Sequence, residues 1–158
     1  MKNRYIYTVV ISLVALLHAC KTDTVYLLTH TLENNQIHKD SSLVFEYNNA
    51  SESTMHNITL FFKHTHAFIH KQAVVNFKYT SPKGESSDLT MGIPVRDLSG
   101  EFLGKQQNDS TWIVKHTIIS KRALPYGQNT FTITNKMDKQ LEYVEGISEV
   151  GIEIQSTK

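Results

Sequence analysis

The chain has only one cysteine, which excludes most of the chemistry that cysteine supplies. Cys20 is alone among 158 residues, so the chain can form no internal disulfide and no multi-cysteine zinc site. Proline and glycine are also few, at 3 and 7, and no long flexible linker is expected from them. The longest apolar run covers residues 5–17, which is shorter than the ~20 residues that a membrane-spanning helix needs.

An excess of charge of either sign is also lacking. Lysine and arginine number 16 against 15 aspartates and glutamates. Removal of residues 1–19 would take away Lys2 and Arg4 and leave 14 basic against 15 acidic residues, a net charge of −1. Nucleic-acid binders normally carry a basic excess on one face. The composition therefore predicts no nucleic-acid partner.

The N-terminal segment is typical of a bacterial lipoprotein signal peptide. Lys2 and Arg4 precede the apolar run, and Leu17-His18-Ala19-Cys20 follows it. This tetrapeptide resembles a lipobox, with an aliphatic residue at −3, a small residue at −1 and cysteine at +1, although His18 is unusual at −2. An ordinary secretory signal or a short membrane anchor are the alternatives. We predict that residues 1–19 are a signal peptide, that Cys20 is lipidated, and that residues 20–158 form one lipid-anchored domain.

Short segments of alternating apolar and polar residues follow Cys20 and indicate half-buried strands. They predict an all-β fold, an antiparallel β-sandwich of jelly-roll or immunoglobulin-like type. At most one short helix is expected, and residues 136–144 could form it, because Met137, Leu141 and Val144 recur at helical spacing. The eight predicted strands lie at or around residues 24–29, 43–47, 56–64, 72–80, 89–95, 111–120, 130–134 and 150–154.

Few residues suggest catalysis or metal binding. His64 and His66 would share one face of a strand and are weak candidates for zinc ligands, since zinc needs a third ligand such as His116 or an acidic residue. A solvated strand end is the alternative. No Gly-x-Ser-x-Gly elbow is present, and the acidic residues that could serve acid–base chemistry lie in turn-like segments: Asp97, Glu101 and Asp109. We therefore expect no metal, no cofactor and no enzymatic activity.

Aromatic residues are better candidates for binding a partner. Trp112 alternates with Val114 and Ile118, which predicts that it lies in the core. Phe102 is in a loop bounded by glycines and is predicted to be an exposed anchor for a partner. Tyr126, between Pro125 and Gly127, is the second candidate for partner binding.

Four stretches carry a family resemblance: residues 56–62 (HNITLFF), 97–104 (DLSGEFLG), 131–137 (FTITNKM) and 141–154 (LEYVEGISEVGIEI). In this order they resemble the gliding-motility lipoprotein GldH family of Bacteroidetes. Phe102 stands where tryptophan is usual in that family. The final stretch also has a physical explanation, since Gly146 and Gly151 would permit a tight turn and a close approach of the backbone.

The resemblance implies an outer-membrane lipoprotein that is associated with gliding motility and type IX secretion, without catalytic residues. Together with Cys20 it leads us to expect a non-catalytic scaffold, held to the membrane by its lipid and contacting other motility or secretion lipoproteins. The short Lys21-Thr22-Asp23 segment favours the periplasmic face of the outer membrane. The alternative function is a carbohydrate- or ligand-binding lipoprotein of the cell envelope. The oligomeric state is left open.

Overall fold

The structure is a computed structural model that describes residues 25–138 and 140–157. The predicted signal peptide and Cys20 lie outside these residues. The described backbone contains no α-helix and no helix that could cross a membrane. It forms one 3-10 turn, Glu33–Asn35, and eleven strands: β1 (Val25–Thr31), β2 (Gln36–His38), β3 (Ser42–Asn49), β4 (Met55–Thr65), β5 (Gln72–Thr80), β6 (Ser86–Pro94), β7 (Lys105–Asn108), β8 (Thr111–Ala123), β9 (Gly127–Asn135), β10 (Tyr143–Glu145) and β11 (Ile147–Thr157).

Two antiparallel sheets pack face to face. One has the order β1-β11-β4-β8-β7 and the other β3-β9-β5-β6, while β10 and β2 form a separate pair. If the eight long strands are numbered along the chain, the sheets read 1-8-3-6 and 2-7-4-5, which is the jelly-roll arrangement of two interlocked Greek keys. The predicted all-β antiparallel sandwich is confirmed, and its topology is of the jelly-roll type.

The core lies between the two sheets and follows the period of two. In β4, Ile58, Leu60 and Phe62 point inward and are almost completely buried. They meet Phe131 and Ile133 of β9 and the other inward-facing residues in one continuous apolar cluster. Successive strand residues point to opposite faces, so the alternation seen in the sequence places these side chains on the same side.

Different connections between strands lie at the two ends of the sandwich. We call the end where β1 begins and β11 finishes the terminal end; it also holds the β3–β4, β5–β6 and β8–β9 connections. We call the opposite end the distal end. It holds the β4–β5, β6–β7 and β9–β10 connections and the β2–β10 pair.

All eight predicted strands fall on observed strands, and the described part of residues 136–144, which could have formed the one short helix, is not helical. Residues 136–138 and 140–142 are irregular, and β10 follows them. Val144 pairs with Ile37 of β2, and both are buried, whereas Leu141 is exposed. The helical spacing of Met137, Leu141 and Val144 is therefore a coincidence that pairing with β2 overrides. Three short strands, β2, β7 and β10, were not predicted.

Candidate functional site

Two loops meet at the distal end around Arg96. Its Nη1 donates a hydrogen bond to the Gly100 carbonyl oxygen at 2.8 Å, and its Nη2 donates to the Phe68 carbonyl oxygen at 3.0 Å. The guanidinium carbon also lies 3.7 Å from the centre of the Phe102 ring, a cation–π contact. Arg96 thus joins the 95–104 loop to the 66–71 loop through its donors and its planar face.

Four rings pack together next to Arg96, and we call them the ring cluster: His64, His66, Phe102 and Trp112. The Phe102 and Trp112 rings lie 4.5 Å apart between centres. His66 meets Trp112 edge-on at 4.6 Å, and His64 lies 5.0 Å from Phe102. Register explains the placement, because Trp112 of β8 is directly opposite His64 of β4.

The surroundings of Phe102 and Trp112 differ from what the sequence predicts. Phe102 is half-buried and packs against the core instead of projecting as an exposed anchor. Trp112 is also half-buried and lies outside the core cluster. Trp112 keeps the register of Val114, opposite the buried His64, but it lies at the distal start of β8, where the rings of His66 and Phe102 pack against it. Whether Phe102 binds a partner stays a prediction.

The two histidine candidates face the same cluster but differ in burial. His64 is almost completely buried, and burial lowers its pKa, with the positive charge of Arg96 acting in the same direction. His66 is exposed. His116, the proposed third ligand, pairs with Leu60, four residues along β4 from His64. No group of three histidine, cysteine or acidic side chains with metal-binding geometry occurs among the described residues.

One acidic residue of the distal loops, Asp97, stabilises a turn. The Asp97 carboxylate accepts hydrogen bonds from the Ser99 hydroxyl at 2.7 Å and from the Glu101 backbone N–H at 2.9 Å. These bonds, the one from Ser99 first, lower the pKa of Asp97. The turn is completed by Gly100, which has a φ of 92°. Asp97 thus acts as a turn residue, as the turn-like sequence indicates.

A small apolar pocket opens beside the ring cluster. Its volume is about 250 Å³, and we call it the distal pocket; it is lined by Ala67, Ile69, His70, Leu141, Tyr143 and Glu145. Ile69 has 74% of its surface exposed, and Leu141 and Tyr143 are also exposed. Exposed apolar side chains that adjoin one another are typical of protein-binding surfaces. The distal pocket is therefore a candidate for partner binding at this end.

Tyr126 lies at the opposite end of the molecule. It is 68% exposed in the β8–β9 turn, and its backbone N–H donates to the Glu52 carboxylate at 3.2 Å. Phe102 and Tyr126 are consequently separated by the length of the sandwich and cannot belong to one binding site.

Sequence reasoning missed Arg96 and the distal pocket. The signal for Arg96 was a basic residue directly before the turn motif that begins at Asp97, but its two carbonyl acceptors are far apart in sequence. The pocket residues come from the 66–71 loop and from β10 with its preceding segment. Their proximity depends on the pairing of β2 with β10, which the sequence pattern did not indicate.

Comparison with known proteins gives one family. The sequence model described as GldH lipoprotein matches residues 24–154. No curated protein is significantly similar to the chain.

Solved structures with a similar arrangement of strands are distant in sequence. The CBM36-1 domain of a multidomain xylanase from the hindgut metagenome of Trinervitermes trinervoides has 14% identity and a TM-score of 0.44, over 83% of this chain and 96% of that one. CBM35 from Cellvibrio japonicus Abf62 has 12% identity and a TM-score of 0.38, over 85% and 99%. The infectious bursal disease virus VP2 subviral particle has 14% identity and a TM-score of 0.42, over 85% and 33%. Similarities this weak carry no functional argument.

Proposed function

Because the chain belongs to the GldH lipoprotein family, a family associated with gliding motility, we propose that it is a non-catalytic scaffold of the gliding-motility and type IX secretion machinery. In this proposal Cys20 carries the lipid that holds the protein to the periplasmic face of the outer membrane. The distal end binds other motility or secretion lipoproteins.

The observation that carries the proposal is the separation of the two ends. Val25 begins β1 at the terminal end, only five residues after Cys20. β4 runs eleven residues from there to the distal end, about 33 Å at the usual rise per strand residue. A lipid on Cys20 would therefore leave the distal pocket facing away from the membrane, where a second protein could reach it.

Three ionisable groups of the distal end hold its loops, which supports a non-catalytic role; His70 and Glu145 of the distal pocket are not among them. Asp97 is held by the hydrogen bonds of its own turn, and His64 is enclosed by rings. Arg96 is bonded to two backbone carbonyl oxygens. These groups stabilise the loops, and none of the three projects freely into the distal pocket.

The alternative, a ligand-binding lipoprotein, is favoured by the partly exposed Trp112. An exposed indole face can stack on a sugar or another flat ligand. Phe102 already packs against the Trp112 ring at 4.5 Å, and His66 contacts it edge-on. Little of the ring is therefore left for stacking, so we rank this function second.

The proposal is tested by crosslinking and purification of the C-terminally tagged protein from its own membranes. We expect wild type to recover motility or secretion lipoproteins and Ile69→Asp to lose most of them, because a charge would enter the apolar distal pocket. Leu89→Asp is the matched control, since Leu89 is 55% exposed on β6, outside this pocket. We expect Cys20→Ser to release the protein from membranes or to block its maturation.

Two outcomes would count against the proposal. Equal recovery of partners by Ile69→Asp and wild type would exclude the distal pocket as the interface. Recovery of no envelope lipoprotein by wild type would favour the ligand-binding alternative, and glycan binding would then be the next measurement.

A further inference from the structure

Exposed apolar side chains are also concentrated at the terminal end. Tyr126 lies in the β8–β9 turn, and Met55 begins β4. Val25, Tyr26 and Leu27 are the first residues of β1, and all five side chains are substantially exposed. Single exposed apolar residues are ordinary, but here they share one end of the sandwich.

Two buried asparagines fix the backbone of the turn that carries Tyr126 by hydrogen bonds. Asn49 Nδ2 donates to the Leu124 carbonyl oxygen at 2.6 Å, and Asn129 Nδ2 donates to the Pro125 carbonyl oxygen at 2.9 Å. Leu124 itself is completely buried. The ring of Tyr126 therefore projects outward from a fixed backbone, so its exposure is a property of the folded end and not of a loose loop.

Two basic residues adjoin this end on β8. Lys121 has a φ of 49°, a left-handed conformation, and its N–H donates to Asn57 Oδ1 at 2.9 Å. A bulge in the pairing with β4 accompanies this conformation, and the exposed Arg122 follows it. Among the described residues, the turns at this end also carry the charged side chains of Lys83, Glu52 and Glu85.

The chain before β1 is too short to let this end move far from a lipid on Cys20. Five Cα–Cα steps join Cys20 to Val25, and a fully extended chain covers at most about 18 Å over that number. The polar headgroup layer of a bilayer is itself about 5–8 Å thick on each side. A lipid on Cys20 would therefore keep the terminal end at the membrane surface.

We propose that the terminal end is a docking surface for the lipid headgroups of the leaflet that holds Cys20. Tyr126, Tyr26 and Met55 enter the headgroup layer, where tyrosine places its apolar ring in the membrane and its hydroxyl in water. Lys121 and Arg122 contact lipid phosphates with their charged groups. The sandwich then stands with its strands pointing away from the membrane. This inference rests on the lipid anchor of the proposed function.

The lone cysteine makes a direct test possible. In the mature lipoprotein the Cys20 sulfur is blocked by its lipid, so an introduced cysteine is the only thiol that a fluorescent probe can label. The acylated Tyr126→Cys protein, labelled with an environment-sensitive dye, is placed in vesicles of phosphatidylethanolamine and phosphatidylglycerol that contain a headgroup-linked quencher. Leu98→Cys is the matched control, because Leu98 is fully exposed at the distal end.

We expect the Tyr126 probe to be quenched several-fold more strongly than the Leu98 probe and to emit at shorter wavelength. In the Tyr126→Cys background, the double change Lys121→Glu with Arg122→Glu is expected to reduce that quenching. Lys105→Glu is the charge control, since Lys105 is exposed on β7 away from the terminal end.

Equal quenching of the two probes in a protein that is acylated and vesicle-bound would overturn the headgroup contact and leave the anchor intact. Protection of the Tyr126 probe only in native envelopes, and not in pure lipid, would also overturn it, because a protein would then cover this end. Mass spectrometry that shows an unmodified Cys20, with the chain in the soluble fraction, would contradict both the anchor and the docking surface.

Discussion

At the scale of single residues, two buried histidines make the fold sensitive to acid. His56 and His64 are each almost completely buried on the inner face of β4. The His56 Nε2 lies 3.3 Å from the Tyr47 hydroxyl, and His64 Nε2 has no hydrogen-bond partner among the described residues. Burial lowers the pKa of both side chains. The neutral form is therefore the one that the folded state prefers.

The free energy of unfolding is expected to fall as the pH falls below about 6.5, the pKa of an unfolded histidine. The unfolded state binds protons there that the folded state does not, so the loss continues until the lowered folded-state pKa values are reached. Chemical denaturation at a series of pH values measures this effect. His64→Phe should make the dependence shallower, and His116→Gln, a change at an exposed histidine, should not. An unchanged dependence in His64→Phe would contradict this explanation.

The placement of His64 and His66 could be predicted from the sequence, but their burial could not. The pattern at His64 and His66 predicted that both would share one face, and both do contact Phe102 and Trp112. It could not show that one imidazole is buried and the other exposed, because burial depends on the loop that carries Arg96. Arg96 bonds to Gly100 in its own loop and to Phe68, which lies 28 residues earlier in the chain.

At the scale of elements, Gly146 and Gly151 let neighbouring segments approach more closely than a side chain would permit. Gly146 has a φ of 85°, and a Cβ placed on it would lie 2.1 Å from the Phe68 backbone nitrogen. Its N–H donates to the Asn35 carbonyl oxygen at 2.8 Å, and its own carbonyl oxygen accepts from Thr65. In β11, Gly151 leaves room for the Phe61 ring, which a Cβ would meet at 2.3 Å. The predicted tight turn and close approach at these glycines are confirmed.

We expect Gly146→Ala to lower the free energy of unfolding by about 3 kcal/mol or more, since it adds a left-handed backbone cost to a steric clash. Gly84→Ala is the matched control, because Gly84 has a similar φ of 82° but no atom within 4 Å of the added Cβ. That change should lower the free energy of unfolding only by the cost of the left-handed backbone, about 1 kcal/mol. Urea denaturation of both variants measures the difference. Equal losses would show that contact with the 67–68 backbone is unimportant.

The strands were predictable from sequence to different degrees for a physical reason. β5 was predicted with its observed bounds, Gln72–Thr80, because its alternation reflects one buried and one open face. β7 contains only exposed polar residues, so no hydrophobic alternation marks it. β2 and β10 have three residues each, and each is a strand only because the other lies beside it.

At the scale of the whole molecule, one core extends from end to end. Phe68 near the distal end and Leu124 near the terminal end belong to the same apolar cluster. The jelly-roll crossings make the chain pass repeatedly between the sheets, so neither sheet has a core of its own. Cooperative unfolding in a single step is the expected behaviour of such a domain.

This expectation can be measured with the only tryptophan of the chain. Trp112 lies in the distal ring cluster, so its fluorescence reports on that end, while far-ultraviolet circular dichroism reports on all strands. We expect the two signals to give coincident urea transitions. A fluorescence transition at lower urea than the circular dichroism transition would show that the distal end opens separately.

The antiparallel pairing of β1 with β11 has a mechanical consequence. Seven residues of β1, from Val25 to Thr31, pair in register with β11, and their hydrogen bonds run perpendicular to the strands. If the lipid holds the start of β1 while a moving partner pulls on the distal end, the tension runs along the strand. The bonds are then loaded together in shear and not opened one after another. Under such a load β1 would resist being peeled from the sheet.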